Sequence, residues 1–404
     1  MIHCDSQPLL PLEDALTQML TLTKPIKRNL TKTISESQGC ILAEDIVSPI
    51  NVPPYDNSAM DGYAIAIKPD TLKYKVVGKA LAGQPYQHKI VPGECIRIMT
   101  GAVIPEGANT VVMQENAKRL EQHIELSEIA PANQNIRLMG DDIQQGHKVL
   151  AKGQLLRAVD IGLLASLGIA QVSVFEPIKV GVFTTGDELK QPGELLSAGQ
   201  IYDSNRPMLK ALLNHAYIQV VDLGVIADDF SAIEQAFITL SNRCDAIVSC
   251  GGVSVGDADY TKQVIDKIGE INFWKLAIKP GKPFAFGKIN QALFLGLPGN
   301  PVSSYVTFEQ LVKPALSHLA GQQPEPKVRL SLPVSGTLRK RPGRKDFQRA
   351  RLIRKNNIVV AVEPAGKQSS GVLSSVAYAD CYIVLEAEQG HVGDGEHVNV
   401  ELFK

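Results

Sequence analysis

The stretch Asp245-Ala-Ile-Val-Ser-Cys250-Gly251-Gly252-Val-Ser254-Val-Gly256-Asp257-Ala-Asp259-Tyr260 decides how the chain is read. Its first half is an apolar run of strand length. Three glycines then turn the backbone, and two aspartates and a serine hydroxyl follow before a helix begins near Tyr260. A glycine turn leaves amide N–H groups uncovered for an oxyanion, and carboxylates beside that anion repel it unless a divalent cation lies between them. The stretch therefore predicts a metal-bridged phosphate site. The same residues also fit a plain strand-to-helix turn with Asp259 as the N-cap, so the rest of the chain has to decide.

Outward from this stretch, strands and helices alternate. Val180–Phe183, Ile218–Leu223, Ala246–Ser249 and Ala292–Gly296 read as strands; Met208–His215, Phe230–Leu240 and a long Val302–His318 run read as helices. Such alternation implies parallel strands with helices on both faces, because parallel neighbours need a crossover. Residues 179–326 are expected to form a doubly wound α/β domain. An amphipathic helix over Leu12–Leu20 opens the chain and is expected to pack on that domain, covering 1–26. A second short helical stretch is expected to end at Gly39. From residue 47, short strands separated by Gly and Pro (Lys73–Gly78, Cys95–Met99, Thr110–Gln114, His123–Leu126) predict a β-rich domain over 47–146, inserted between flanking pieces 27–46 and 147–178. A helix over Val159–Leu167 stops at Gly168. Beyond Pro324-Glu-Pro326 the helical period is lost, and 327–404 is expected to be an all-β domain, a barrel.

The totals bound the function. The chain has 404 residues, room for roughly two to four domains at about 100–200 residues each. With 41 basic and 42 acidic residues no global field draws it to nucleic acid or to an anionic membrane. No apolar run approaches the roughly 20 residues needed to span a bilayer, and no secretory signal opens the chain. Six scattered cysteines without a C-x-x-C pair point to reduced thiols and a cytoplasmic location.

In an open parallel sheet, ligands gather outside the carboxyl ends of the strands. Four loops follow strands here: Thr184-Thr-Gly-Asp-Glu188, Ile226-Ala-Asp-Asp229, the Gly251-Gly252 loop, and Leu297-Pro298-Gly299-Asn300-Pro301-Val-Ser303. Asp229 also reads as an N-cap for the following helix. Glu188, Asp228 and Asp259 on one edge favour a Mg²⁺ site, because without a cation or bound substrate between them they repel one another by about 4 kcal/mol per pair at about 4 Å and an effective dielectric of about 20. Pro298–Pro301 runs into a helix start and offers an anion cradle. In Trp274-Lys275-Leu-Ala-Ile-Lys279-Pro-Gly-Lys282-Pro283, strand spacing puts Lys275 and Lys279 on one face about 13 Å apart. Around the basic cluster Arg339–Arg349 the aromatics that nucleic-acid binding requires are sparse and the chain is neutral overall, so an arginine aimed at an oxyanion fits better.

Five segments carry a resemblance: Asp56-Asn-Ser-Ala-Met-Asp61-Gly-Tyr-Ala64, Arg97-Ile-Met-Thr100-Gly-Ala102, Thr185-Gly-Asp-Glu188-Leu, Ser249-Cys-Gly-Gly-Val-Ser-Val-Gly256 and Leu297-Pro-Gly-Asn-Pro301-Val-Ser303. In order and over the whole length the chain resembles the molybdopterin molybdenumtransferase family (MoeA, similar to the E domain of gephyrin). Cys250 stands where the family pattern leads one to expect Ser, and Ser369 where Gly is frequent. The resemblance implies an elongated homodimer whose active cleft lies between the α/β and C-terminal domains of one subunit and the β-rich domain of the other. The implied reaction inserts molybdenum from molybdate into adenylylated molybdopterin, with release of AMP in a Mg²⁺-dependent step.

Position by position, the resemblance implies catalytic roles for Asp61, Asp142, Glu188 and Asp259. It implies substrate binding by Thr100, Asp228, Pro298 and Pro301 and molybdate binding by Lys275, Lys279, Arg349 and Ser370; the chemistry of the residues themselves adds Gly251, Gly252, Ser254, Gly299 and Asn300 to the expected substrate site and makes Glu188, Asp228 and Asp259 the expected Mg²⁺ ligands. A molybdopterin adenylyltransferase and downstream molybdoenzymes or their chaperones are the implied partners. Two alternatives stand beside this one: a Mg²⁺-dependent adenylyltransferase or nucleotide pyrophosphatase on the same scaffold, and a non-enzymatic scaffold protein.

Overall fold

The computed structural model describes residues 9–251 and 260–403. Its centre is a six-stranded sheet in the order 218–226, 178–185, 246–250, 292–297, 283–289, 269–275. The first four strands run parallel, as the alternation predicts. The last two are antiparallel, so the sheet is mixed rather than wholly parallel. The correction has a local cause: Ile289 is followed directly by a turn at Asn290 (φ 53°) and the Ala292–Leu297 strand, a hairpin too short for a crossover.

Side-chain alternation on these strands supplies two cores. Val180, Val182, Ala246 and Val248 face the helices Leu12–Leu22 and Asn205–Leu212 and the helical run from Pro301 to Leu319. Phe183, Ile247 and Phe294 face Phe230–Ser241 and Tyr260–Ile268. Phe237 stands edge-on to both Phe183 and Phe294, at 5.1 and 5.3 Å, a geometry that adds about 0.5–1.5 kcal/mol per pair beyond burial. A side chain at Gly181 would come within 2.7 Å of Leu240, so this helix sits close on the strand because the position is glycine. The 301–319 run is one continuous helix with a π-turn over Phe308–Val312.

The pieces flanking the β-rich sheet pair with each other. Asn29–Thr33 runs antiparallel to Gln171–Phe175, Ile46–Val47 to Lys148–Leu150, and Cys40, Leu42, Leu164 and Val174 share one core. The helix expected before Gly39 is instead this strand followed by one 3₁₀ turn, Ile34–Glu36. Asn29-Leu-Thr-Lys-Thr33 carries one apolar residue, and its β-branched threonines suit a strand paired with a partner over 100 residues away. The β-rich part holds a six-stranded sheet in the order 110–113, 62–65, 94–98, 73–80, 123–126, 117–120.

The C-terminal strands close into a barrel. Leu330–Pro333, His397–Leu402, Cys381–Leu385, Lys345–Lys355 and Ile358–Pro364 pair in turn, and a bridge between Val334 and Val362 completes the ring around Val334, Ala350, Ile383 and Val400. The Lys275–Lys279 segment is not one strand. Gly269–Lys275 ends on the α/β sheet, and Ile278–Lys279 joins the barrel beside Lys345 and Asp346. Between them Ala277 donates its N–H to Leu10, and Leu276 donates to the Lys282 carbonyl, so the backbone turns where the sequence spacing implies a straight path. The two lysines therefore belong to different sheets.

Candidate active site

The strands Ile178–Thr185, Ile218–Ile226, Ala246–Cys250 and Ala292–Leu297 are parallel, so the loops after them share one edge. Gly251 (φ 97°) makes the closest approach there. A Cβ at this position would lie 2.7 Å from the Thr185 carbonyl oxygen, which keeps the first and third loops in contact. The Cys250 thiol lies 3.1 Å from the Pro298 carbonyl, and burial pushes it up to about 12. Cys250 is thus an inert strap between strand and loop rather than a nucleophile. Gly252, Ser254, Asp257 and Asp259 lie outside the described residues.

Asp229 accepts a hydrogen bond from the Ala232 N–H at 2.9 Å and caps its helix, which leaves Asp228 to the sheet edge. The Asp228 amide in turn donates to Asp187 at 3.1 Å. Asp228 is exposed as a whole, yet partial burial of its carboxyl, followed by the charges of Asp187 and Glu188, raises its pKa above the ordinary carboxylate value. Thr185 works weakly in the other direction, although its hydroxyl makes no hydrogen bond within normal geometry among the described residues. Ser249 Oγ, one strand over, is likewise buried without a partner among them. This corner therefore offers oxygen donors in excess and carboxylates that crowd one another, the donor chemistry of a hard divalent cation. Among the described residues no three such side chains form a closed metal site.

The segment Asp203-Ser-Asn205-Arg206 sets this corner, and sequence reasoning missed it. Asp203, 1% exposed, accepts from the Thr184 hydroxyl at 2.8 Å and from the amides of Asn205 and Arg206 at 3.1 Å. Asn205 Nδ2 then donates to the Gly299 carbonyl at 2.7 Å, tying the first loop to the fourth. Arg206 also reaches Asp222 at 2.9 Å. The signal was a run of polar residues directly before a helix, indistinguishable in sequence from ordinary capping.

Pro298 is buried and Gly299 and Asn300 are exposed, with Pro301 at the first turn of the helix. Asn300 occupies the N-cap without a side-chain cap hydrogen bond; the Val302 amide donates to the Ser370 carbonyl at 3.0 Å. A barrel loop thus seats on the start of an α/β helix. Arg349 holds that loop. It is 1% exposed, and its guanidinium donates to Ser375 Oγ (3.1 Å), Phe347 O (3.2 Å) and Ser369 O (3.3 Å). Burial without a carboxylate partner lowers its pKa. Its neighbour Asp346 points to the opposite face of the strand and accepts from Lys279 at 3.2 Å. Lys275 ends the 269–275 strand, half-buried. The residues expected at molybdate therefore divide: Arg349 and Ser370 meet at one corner, Lys279 lies across the strand, and Lys275 belongs to the neighbouring sheet.

Asp61 and Thr100 are brought together in the β-rich part. The Asp61 carboxylate accepts the Thr100 N–H at 2.8 Å and its hydroxyl at 2.9 Å, and these bonds, led by the amide, hold it below the usual carboxylate range. Asp142 is exposed on a turn whose amide donates to Val52. Among the described residues no hydrogen bond or ion pair joins Asp61, Thr100 or Asp142 to the α/β edge.

A mixed α/β sheet with its polar loops on the carboxyl edge, a β-rich insertion and a closing barrel define a class of multidomain protein built around one α/β domain, and similarity to known proteins says which class it is. Residues 10–168 match the MoeA N-terminal region (domain I and II), 181–318 a probable molybdopterin binding domain, and 331–403 the MoeA C-terminal region (domain IV). The chain is 46% identical over 399 residues to a molybdopterin molybdenumtransferase of Haemophilus influenzae, covering 98% of this chain and 99% of that protein. It is 31% identical over 409 residues to one of Staphylococcus aureus, covering 97% and 95%. A crystal structure of a molybdopterin biosynthesis MoeA protein from Pyrococcus horikoshii superposes with a TM-score of 0.83 at 30% identity, covering 98% and 100%. The chain belongs to the molybdopterin molybdenumtransferase (MoeA) family.

Proposed function

We propose that this protein inserts molybdenum from molybdate into adenylylated molybdopterin and releases AMP, the last assembly step of the molybdenum cofactor. The observation that carries the reading is the crowded acid corner of Asp187, Glu188 and Asp228, at the edge where the Gly251 turn and the Pro298–Asn300 loop meet.

In this reading Glu188 and Asp228, with Asp259, hold Mg²⁺, and the amides at Gly251 and Gly252 receive phosphate oxygens, with Ser254 and the Pro298–Pro301 turn beside them. Mg²⁺ bound there supplies neutralisation of charge on the leaving phosphate. Asn205 keeps the Gly299 carbonyl in place, and buried Arg349 presents the Ser370 loop to molybdate, whereas Lys279 on the opposite face of the strand and Lys275 on the neighbouring sheet stand apart from that corner. Asp61, ionised by the Thr100 amide, and Asp142 orient groups from a second subunit, which makes the working unit a homodimer. The chain then divides at 27, 47, 147, 179 and 327, with the β-rich unit reaching across to its partner. An upstream adenylyltransferase and downstream molybdoenzymes or their chaperones are the partners, in the cytoplasm.

Incubation with adenylylated molybdopterin, Mg²⁺ and molybdate tests this. AMP release is expected only when molybdate is present, and release that ignores molybdate would refute coupled insertion.

A further inference from the structure

The barrel carries a cavity of ≈ 440 Å³ on the face of the Lys345–Lys355 strand opposite Arg349, lined by Lys279, Arg339, Lys340, Arg341, Arg344 and Asp346 among others. The lining holds five cationic side chains and a single carboxylate on a chain whose net charge is −1. That carboxylate is already committed, since Asp346 accepts from Lys279 at 3.2 Å and from Gln348 at 3.3 Å. Lys340 is committed as well. It is 4% exposed, donates to the carbonyls of Ala387 (3.0 Å) and Gln389 (2.7 Å), and so pins the basic loop to the 386–391 turn. Its amide donates to His391 Nδ1 at 3.2 Å, and His391 also lines the cavity. Arg339, Arg341 and Arg344 form no hydrogen bond or ion pair through their guanidinium groups among the described residues. Glu386 and Glu388 lie near Lys340 but outside the lining, and Glu386 is paired with Lys345 and Arg329.

We propose that this cavity is a second anion site that binds a diphosphate group, with Arg339, Arg341 and Arg344 as its forks and Lys279 at its inner wall. Guanidinium groups match phosphate oxygens two at a time, and three of them on a pinned loop suit more oxygens than one tetrahedral anion presents. The volume falls within the range of small-molecule sites rather than that of a lone oxyanion. A nucleic-acid strand is disfavoured because the lining holds one aromatic ring, His391. The proposal rests on the reaction proposed above for its natural ligand, a phosphoanhydride-linked substrate, and places a holding point for that substrate on the far side of the strand that carries Arg349.

Isothermal titration of the full-length protein with inorganic pyrophosphate, orthophosphate and molybdate, in Mg²⁺-free buffer at physiological salt, tests it. Pyrophosphate is expected to bind more tightly than orthophosphate or molybdate. The Arg341→Ala/Arg344→Ala variant is expected to lose about tenfold or more in affinity with an unchanged circular dichroism spectrum, and Arg341→Lys/Arg344→Lys to recover part of it. Parental affinity in the alanine variant overturns the assignment. So does molybdate binding more tightly than pyrophosphate in an Arg341- and Arg344-dependent way, and so does displacement of pyrophosphate by a short single-stranded oligonucleotide at lower concentration. AMP release is measured separately, so a failure of the proposed reaction and a failure of this site give different results.

Discussion

Asp228 sits one residue before a capping aspartate, and that neighbour relation separates their roles: Asp229 spends its carboxylate on the Ala232 amide, while Asp228 faces Asp187 and Glu188. Its pKa is raised, so the folded state holds its proton to higher pH than the unfolded chain, whose carboxyl titrates near 3.8. Below that value the group costs nothing. As pH rises through the window between the unfolded and the raised folded value, the native state loses stability, and the penalty is complete above it. Asp228→Asn is therefore expected to unfold at slightly higher temperature than the parent at neutral pH without Mg²⁺, by at most about 1 kcal/mol because solvent screens the site. Thermal melts at pH 3.5 and 7.5 check this, and the gap should vanish at the lower pH. Mg²⁺ is expected to raise the midpoint of the parent and not of the variant. At Asn205, Ala substitution removes the donor to Gly299; kcat/KM is expected to fall about tenfold with little change in melting, the loss of one positioning hydrogen bond.

At the scale of elements, the legible parts of the fold were those whose hydrophobic period matches their own segment. The strands at 178–185 and 246–250 read clearly because they are short, nearly continuous buried runs bounded by turns, and the helix at 230–241 because its buried side chains recur three to four residues apart. Asn29–Thr33 was opaque because three of its five residues are exposed and its hydrogen bonds go to Gln171–Phe175. The Lys275–Lys279 run misled for a different reason: its spacing suits one strand, but pairing with two sheets bends it. In the site, glycine turns and acids were readable as types. The commitment of Arg349 to Ser369 and Ser375 was not, since the sequence carries no sign of which strand face is enclosed. Two substitutions probe these elements. Ser375→Ala leaves a buried guanidinium donor without its acceptor and is expected to lower stability by about 1–3 kcal/mol in chemical denaturation. Gly251→Ala puts a Cβ against the Thr185 carbonyl at φ 97° and is expected to cost about 1–3 kcal/mol and to displace the loop, read as lost AMP release.

For the whole molecule, the separation of Asp61 and Thr100 from the α/β edge becomes a prediction about assembly. If each site draws its β-rich part from the partner, Asp61→Ala and Glu188→Ala subunits, each inactive alone, complement when unfolded together and refolded. Random pairing gives half heterodimers with one intact site in two, so about a quarter of parental activity is expected. No recovery would place all these residues in one subunit's site.

The path of residues 275–279 from one sheet into the other bears on modularity. Leu276 and Ile278 lie in the core shared by the α/β sheet, while Ile278 and Lys279 extend the barrel sheet beside Lys345 and Asp346, and Phe347 of the barrel is buried in that same core. The barrel is therefore no detachable cassette. A chimera that exchanges the C-terminal part between relatives at residue 327 would leave its outer strand behind in the host, and a viable graft has to carry residues 276–283 as a second, separate insert.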